Sequence, residues 1–158
     1  MKIQYIFLIL PLLISACSQA QEEERCALAS KSRVAFYNVE NLFDAKNDPN
    51  TDDESFTPSS KLGWTQEVYE GKLTNLARVI NAMGEEHGYL ALGLCEIENR
   101  AVVEALIERL DGTEDWKLIH QDSPDERGID VGFLYDSRLM EIEETVFYPI
   151  QYENDPSD

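Results

Sequence analysis

Two carboxylates end the most apolar stretch of the chain, and they are the residues best suited to chemistry. The stretch 90–99 is Leu-Ala-Leu-Gly-Leu-Cys-Glu-Ile-Glu-Asn, a pattern typical of a strand buried on both faces. A carboxylate at the end of such a strand needs a partner, because burying an unpaired charge is costly. A divalent cation is one partner, since ligand sites in α/β sheets lie at strand ends. The alternative is that Glu96 and Glu98 cap the helix that begins near Asn99.

Strands and helices alternate along the chain in a way that predicts an α/β fold. β-branched and aromatic residues predict a first strand over 33–39, with Asn38 at its end. Thr65 is the predicted N-cap of a helix that continues to Gly84. A strand, a helix and then the buried strand 89–95 predict a parallel pair.

The second half of the chain continues with a helix and three strands. Asn99 can cap an amphipathic helix, which Asp111-Gly112 would end. Strands are predicted over 116–120 and 128–135, with a polar loop between them. The alternating segment 143–148 is predicted to be a last strand that pairs as an antiparallel neighbour.

A long acidic loop, 46–64, follows the first strand. It begins beyond Asp44 and contains Asp48, Asp52, Asp53 and Glu54. A calcium loop is one interpretation, but the EF-hand spacing with its central glycine is absent. A solvated loop is the favoured interpretation, because runs of charge usually face solvent.

The first sixteen residues have the organisation of a secretory signal. Lys2 provides a short basic start, and the apolar run 3–14 is shorter than an ordinary membrane span. Small residues then precede Cys17 in the sequence Ile-Ser-Ala-Cys, which resembles the lipobox of bacterial lipoproteins. A plain secretory signal with an incidental Cys17 is the alternative.

The lipobox resemblance implies a domain organisation and a location. It predicts a signal peptide over 1–16, and lipidation of Cys17 followed by a flexible tether over 17–32. The remaining residues, 33–158, are predicted to form a partial domain. The protein would then be anchored to a membrane of the bacterial envelope through Cys17. Two further cysteines, Cys26 and Cys95, fit a disulfide in such an oxidising compartment, and Cys95 alone also fits a small buried side chain.

The charge of the chain limits its partners. It has 13 Lys and Arg against 31 Asp and Glu, a net charge of −18 at pH 7. Long-range attraction to a nucleic-acid backbone is therefore excluded. A phosphate ester would have to be held by a local site in which a cation supplies positive charge.

Three motifs, in order, resemble one superfamily. They are Phe-Tyr-Asn-Val-Glu-Asn-Leu-Phe at 36–43, Gly-Leu-Cys-Glu-Ile-Glu-Asn at 93–99 and Ser-Pro-Asp-Glu-Arg-Gly-Ile-Asp-Val at 123–131. They are similar to motifs of the endonuclease/exonuclease/phosphatase superfamily, which includes deoxyribonuclease-I-like nucleases. The segments 56–58 and 72–77 and Trp64 resemble its bacterial secreted or lipoprotein members.

This resemblance implies a fold and a set of site residues. The fold is a four-layer αββα sandwich with mixed sheets, and the chemistry is hydrolysis of phosphate esters with Mg²⁺ or Mn²⁺. Glu96 matches the metal-binding glutamate, and Asn38 matches the asparagine that helps hold the metal and the scissile phosphate. Arg127 matches more loosely as a phosphate contact, and Asp130 as a residue that orients its neighbours.

The chain also departs from the superfamily pattern. The later Gly-Asp-Phe-Asn-like and Ser-Asp-His-like motifs are absent, and neither His87 nor His120 has a matching context. The expectation is therefore the N-terminal half of such a domain, whose C-terminal half is a missing partner. The competing hypothesis is a non-catalytic lipoprotein remnant or binding module of the envelope.

Overall fold

The apolar and β-branched stretches form one mixed sheet in the computed structural model, which describes residues 19–28, 30–84 and 88–148. The strands are β1 (Arg33–Leu42), β2 (Tyr89–Ile97), β3 (Trp116–His120) and β4 (Asp130–Asp136). The helices are α1 (19–28), α2 (Gln66–Gly84) and α3 (Arg100–Ile107), and one 3-10 turn covers Glu54–Phe56. The predicted signal peptide over 1–16, the predicted lipidation site Cys17 and His87 lie outside the described residues.

The sheet order is β1-β2-β4-β3. β1 and β2 are parallel, and α2 makes the crossover between them, which confirms the predicted pair. β4 is antiparallel to both β2 and β3. The most apolar strand, β2, is therefore internal. Its C-terminal end lies between the C-terminal end of β1 and the N-terminal end of β4.

The helices α2 and α3 cover one face of the sheet because each carries an apolar stripe. Their buried side chains join those of β1, β2 and β4 in a single core. Its fully buried members include Leu42, Leu73, Ile80, Leu92, Leu94, Ile97, Val102, Val103, Leu106 and Leu134. Each such side chain contributes about 1.5–3 kcal/mol by leaving water.

Both predicted helix caps are present. The backbone N–H of Val102 donates to Asn99 Oδ1 at 3.1 Å, and that of Val68 donates to Thr65 Oγ1 at 3.4 Å. Asn99 therefore caps α3, and the interpretation of Glu96 and Glu98 as its caps is wrong.

The opposite face of the sheet is apolar and exposed. Its side chains include Val34 and Phe36, about 70% exposed, together with Val131 and Phe133. Gly93 makes room for one of them, since a Cβ there would lie 2.5 Å from the Phe36 ring. We call Val34, Phe36, Val131 and Phe133 the open face. No helix in the described part of the chain is both long and apolar enough to cross a membrane.

The structure differs from the sequence predictions in two terminal segments. Residues 143–148 form no strand, so that prediction is wrong, and Phe147 instead lies beside the open face. Alternation produces a strand only where a neighbouring strand edge accepts its backbone groups. At the other end, the segment predicted as a tether is helical over 19–28, and Arg25 Nε donates to the carbonyl of Arg138. Its Ala and Glu residues are good helix formers.

The acidic loop is mostly exposed, as predicted for a solvated loop, since Asp48, Asp52 and Glu54 face solvent, but its aromatic residues and Asp53 pack against the domain. Phe56 stacks on the buried Phe43 ring with 4.0 Å between centroids, and the Trp64 indole N–H donates to the Phe43 carbonyl. Asp53 is 1% exposed, and its Oδ2 accepts the N–H of Asp48 at 2.9 Å. The aromatic residues of the loop therefore hold its acidic part in place.

The two described cysteines are not paired. Cys26 is exposed and Cys95 is half-buried, and both thiols are free. The Cys26–Cys95 disulfide that the sequence left open is therefore not formed, and Cys95 is less buried than a core side chain. Burial and the nearby Glu96 raise the pKa of the Cys95 thiol.

Candidate active site

Asn38 and Glu96 meet at the ends of the two parallel strands. Asn38 is the register partner of Cys95, the residue before Glu96. The Asn38 side-chain amide donates from Nδ2 to Glu96 Oε1 at 2.8 Å, and Asn38 Oδ1 accepts the N–H of Glu40 at 2.7 Å. The two side chains that the superfamily resemblance selected are thus in direct contact, although 58 positions separate them.

The backbone at both strand ends is in an unusual conformation. Glu96 has a φ of 61° and is the extra residue of a β-bulge, because Cys95 pairs with Val131 and Ile97 with Asp130. Glu40 and Asn41 also have positive φ, at 54° and 64°. Left-handed backbone is costly for side chains other than glycine and is concentrated at functional sites. The bulge redirects Glu96 away from strand alternation and towards Asn38.

Glu98 does not join this pair. Its Oε2 accepts the N–H of Asp44 at 2.6 Å, which ties β2 to the start of the acidic loop. Burial raises the pKa of Glu98 to about 7, and the carboxylates of Asp44, Asp53 and Asp48 add to the rise. The two glutamates of the motif therefore have different environments and different roles.

Arg127 lies on the loop between β3 and β4. It is exposed, and its guanidinium pairs with Asp125 through Nε at 3.2 Å and Nη2 at 3.1 Å. This pairing raises the pKa of Arg127, and Glu96 adds to the rise, so the two groups are electrostatic neighbours without a bond between them.

The Arg127 loop also packs on the acidic loop. The N–H of Asp52 donates to the Glu126 carbonyl at 2.7 Å. Gly128 has a φ of +69° and lies so close to Thr51 that a Cβ would come within 3.0 Å. The two loops are therefore packed against each other.

A buried histidine–aspartate pair anchors the other end of that loop. His120 Nε2 lies 2.8 Å from Asp130 Oδ2, and Asp130 Oδ1 accepts the N–H of Ser123 at 2.7 Å. The side chains of His120 and Asp130 are 4% and 2% exposed. Asp122 completes a group whose possible metal-ligand atoms lie within 4.8 Å of one another. Both Asp130 oxygens already accept hydrogen bonds and the two His120 nitrogens face different carboxylates, so a loop anchor describes the group best.

One lysine approaches the site from α2. Lys72 Nζ donates to the carbonyl of Glu40 at 2.6 Å and lies 5.7 Å from the centroid of the Trp64 ring. Burial lowers the pKa of Lys72, against the opposing influence of Glu40 and Glu96. Lys72 therefore adds a second positive charge near Glu96.

The donor set suits a hard divalent cation. Glu96 keeps Oε2 without a hydrogen-bond partner among the described residues. Asn38 Oδ1 has a second lone pair beyond the one used by Glu40. Mg²⁺ prefers such oxygen ligands and retains several waters, so one or two protein ligands suffice.

The family model of the Endonuclease/Exonuclease/phosphatase family matches residues 33–158. The chain belongs to this family. The match confirms the predicted superfamily and indicates a nuclease- or phosphatase-type hydrolase fold. No curated protein and no solved structure matches the chain.

The α/β fold class is confirmed for this family member. A four-stranded mixed sheet with helices on one face is compatible with the N-terminal part of an endonuclease/exonuclease/phosphatase sandwich. The open face is where a second sheet of such a sandwich would pack.

Sequence analysis of this family member missed two functional groupings. Asp130 was predicted to orient neighbours, but His120 was given no part in the site, because ten positions separate the two residues. The signal that could have found the pair was a histidine at the end of one strand and an aspartate at the start of the next. The contact of Lys72 with the Glu40 carbonyl left no signal in the sequence, because it depends on where α2 crosses β1.

Proposed function

We propose that this protein is a metal-dependent phosphoesterase, most specifically a nuclease-like phosphodiester hydrolase of the bacterial envelope. The observation that supports it most is the 2.8 Å contact between Asn38 and Glu96 at the ends of adjacent parallel strands. This contact orients a carboxylate at a sheet edge while leaving one of its oxygens for a cation. The family match supplies the reaction class.

Each site residue has a defined part in this proposal. Glu96 and Asn38 are the residues that would hold Mg²⁺ or Mn²⁺, and Asn38 orients the Glu96 carboxylate. A bound cation of this kind polarises the phosphoryl oxygen and stabilises charge on the leaving oxygen. Arg127 binds a phosphate oxygen with its planar guanidinium once it leaves Asp125.

The substrate in this proposal is a phosphate ester, with nucleic acid as one candidate. The net charge of −18 means that the local site, rather than the field of the whole protein, must attract it. Activation of the attacking water is assigned to residues in a layer that covers the open face. The envelope location rests on the Cys17 motif and on the signal-like residues before it.

Replacement of Glu96 tests the proposal directly. The full-length protein is incubated with DNA, RNA and bis(p-nitrophenyl) phosphate in the presence of Mg²⁺ or Mn²⁺. Glu96→Gln removes the ligand charge at nearly constant volume, and we expect hydrolysis to fall about 100-fold or more. EDTA abolishes hydrolysis and added Mg²⁺ restores it.

The matched control is Glu67→Gln, an exposed glutamate in the first turn of α2. This variant should retain wild-type rates because Glu67 is exposed and makes no hydrogen bond or ion pair among the described residues. Undiminished hydrolysis by Glu96→Gln would show that Glu96 does not bind the catalytic metal.

A further inference from the structure

We infer that Lys72 is a positioning residue that fixes the carboxylate of Glu96 through the turn after β1. Sequence analysis assigned no role to Lys72, and it touches neither Asn38 nor Glu96 by a hydrogen bond. The inference rests on the proposed function in one respect, namely that Glu96 binds a divalent cation. The hydrogen bonds that position Glu96 are present in the chain without any metal.

Three consecutive hydrogen bonds connect α2 to the carboxylate. Lys72 Nζ donates to the Glu40 carbonyl at 2.6 Å. The Glu40 N–H donates to Asn38 Oδ1 at 2.7 Å, and Asn38 Nδ2 donates to Glu96 Oε1 at 2.8 Å. The first bond carries a full positive charge, and such bonds are about twice as strong as neutral ones.

The turn after β1 needs stabilising contacts from outside it because its backbone is strained. Glu40 and Asn41 both have positive φ, and each such residue costs on the order of 1–3 kcal/mol. Glu40 must keep its φ and ψ for its N–H to reach Asn38 while its carbonyl accepts from Lys72. Lys72 is the basic side chain that binds the carbonyl of this residue.

Lys72 is itself held in place. Its ammonium group lies 5.7 Å from the centroid of the Trp64 ring, and the indole N–H of Trp64 donates to the Phe43 carbonyl at 3.0 Å. The half-buried aliphatic stem reaches the turn from one turn of α2 that is anchored in the core by Leu73. The contact of Lys72 with the turn is therefore supported by the buried core of the domain.

The direction in which cation affinity changes when Lys72 loses its charge distinguishes a positioning role from a purely electrostatic one. The charge of Lys72 repels a cation at Glu96, so removal of that charge alone would tighten cation binding. Loss of positioning would weaken it, because residues that orient metal ligands typically account for 10–100-fold in affinity.

The experiment uses the full 158-residue chain with Mn²⁺ as the probe. Mn²⁺ affinity is measured by titration calorimetry or electron paramagnetic resonance for wild type, Lys72→Met, Lys72→Arg and Glu96→Gln. Arg78→Met is the matched control, since it removes a positive charge from an exposed position of α2 where, among the described residues, Arg78 hydrogen-bonds Asn75 alone. The Asn38 side-chain amide and the Glu40 N–H are followed by NMR without metal.

We expect Lys72→Met to weaken Mn²⁺ binding about tenfold and to shift the Asn38 and Glu40 resonances. Lys72→Arg should retain most of the wild-type Mn²⁺ affinity and resonance positions, and Arg78→Met should change neither. Unchanged or tighter Mn²⁺ binding by Lys72→Met would overturn the inference, as would unmoved Asn38 resonances. If the wild type binds no Mn²⁺ in a Glu96-dependent way, the proposed function fails, and the resonances alone then decide the inference.

Discussion

At the scale of single residues, the site gives different surroundings to two glutamates that lie two positions apart in the sequence. Glu96 occupies a bulge, contacts Asn38 and keeps a free oxygen, whereas Glu98 accepts a backbone N–H beside three aspartates. Strand alternation alone would place positions 96 and 98 on the same face. The bulge at Glu96 removes that equivalence, so one carboxylate is available to bind a cation and the other serves the acidic loop.

The raised pKa of Glu98 predicts a pH dependence of stability. Its ordinary value of 4.5 rises to about 7 in the folded protein, so the folded state binds the proton more tightly than the unfolded state. The stability from this proton is fully present below about pH 4.5 and is lost as the pH rises through 7. Glu98→Gln, which stays neutral, should therefore be more stable than wild type at pH 8, by about 1–2 kcal/mol after allowance for screening.

The measurement is urea denaturation at pH 4.5 and pH 8 in EDTA. Wild type and Glu98→Gln should be nearly equal at the lower pH and differ at the higher one. Glu104→Gln is the control, because its surface pair with Arg100 contributes little at either pH. A Glu98→Gln variant that is less stable than wild type at pH 8 contradicts the assignment.

At the scale of elements, the loop between β3 and β4 is held at both ends. The His120–Asp130 pair and the Ser123 N–H fix it to the strands, and the Asp52 bond fixes it to the acidic loop. In the proposed function this loop presents Arg127 to a phosphate, and fixed ends favour that role because binding then requires less ordering.

Removal of the Asp130 carboxylate tests this anchor. Asp130→Ala leaves a buried imidazole and the Ser123 N–H without their acceptor, which we expect to cost about 2–4 kcal/mol of unfolding free energy. Trypsin should also cleave after Arg127 faster, because the loop opens locally.

Asp122→Ala is the matched control. Asp122 lies 3.9 Å from the other His120 nitrogen but is 90% exposed, so its loss should cost less than about 0.5 kcal/mol. Equal losses of stability in the two variants would show that Asp130 is not an anchor.

At the scale of the whole molecule, the sheet is covered on one face and open on the other among the described residues. The open face carries Val34 and Phe36 on an edge strand, with Val131 and Phe133 on an inner one. Contiguous exposed apolar surface of this kind drives association. In the proposal a second layer covers it and completes the site.

The isolated chain should therefore self-associate. Phe36→Lys should shift the sedimentation profile towards monomer, because it places a charge in the middle of the open face. Leu62→Lys is the control, since Leu62 is 62% exposed but lies in the acidic loop. A wild-type chain that sediments as a monodisperse monomer would contradict this prediction.

Local sequence determined most of the elements and singled out the candidate site residues. Asn99 and Thr65 mark helix starts through side chains that accept backbone N–H groups, and the run before Glu96 predicts a buried strand from its composition. Such signals depend on a few neighbouring residues, so they survive without knowledge of the fold. The motifs around Asn38 and Glu96 likewise indicated the family that the match confirmed.

The tertiary structure decided everything that depends on distant partners. Three hydrogen bonds join residues distant in the chain, namely Asn38 to Glu96, His120 to Asp130, and Lys72 to the Glu40 carbonyl. Residues 143–148 pair with no strand. The tertiary structure also buried Asp53 in a loop whose charge predicts exposure. The physical reason is the same in each case: hydrogen bonds and burial between remote segments depend on how strands and helices cross, and no local pattern of residues encodes that crossing.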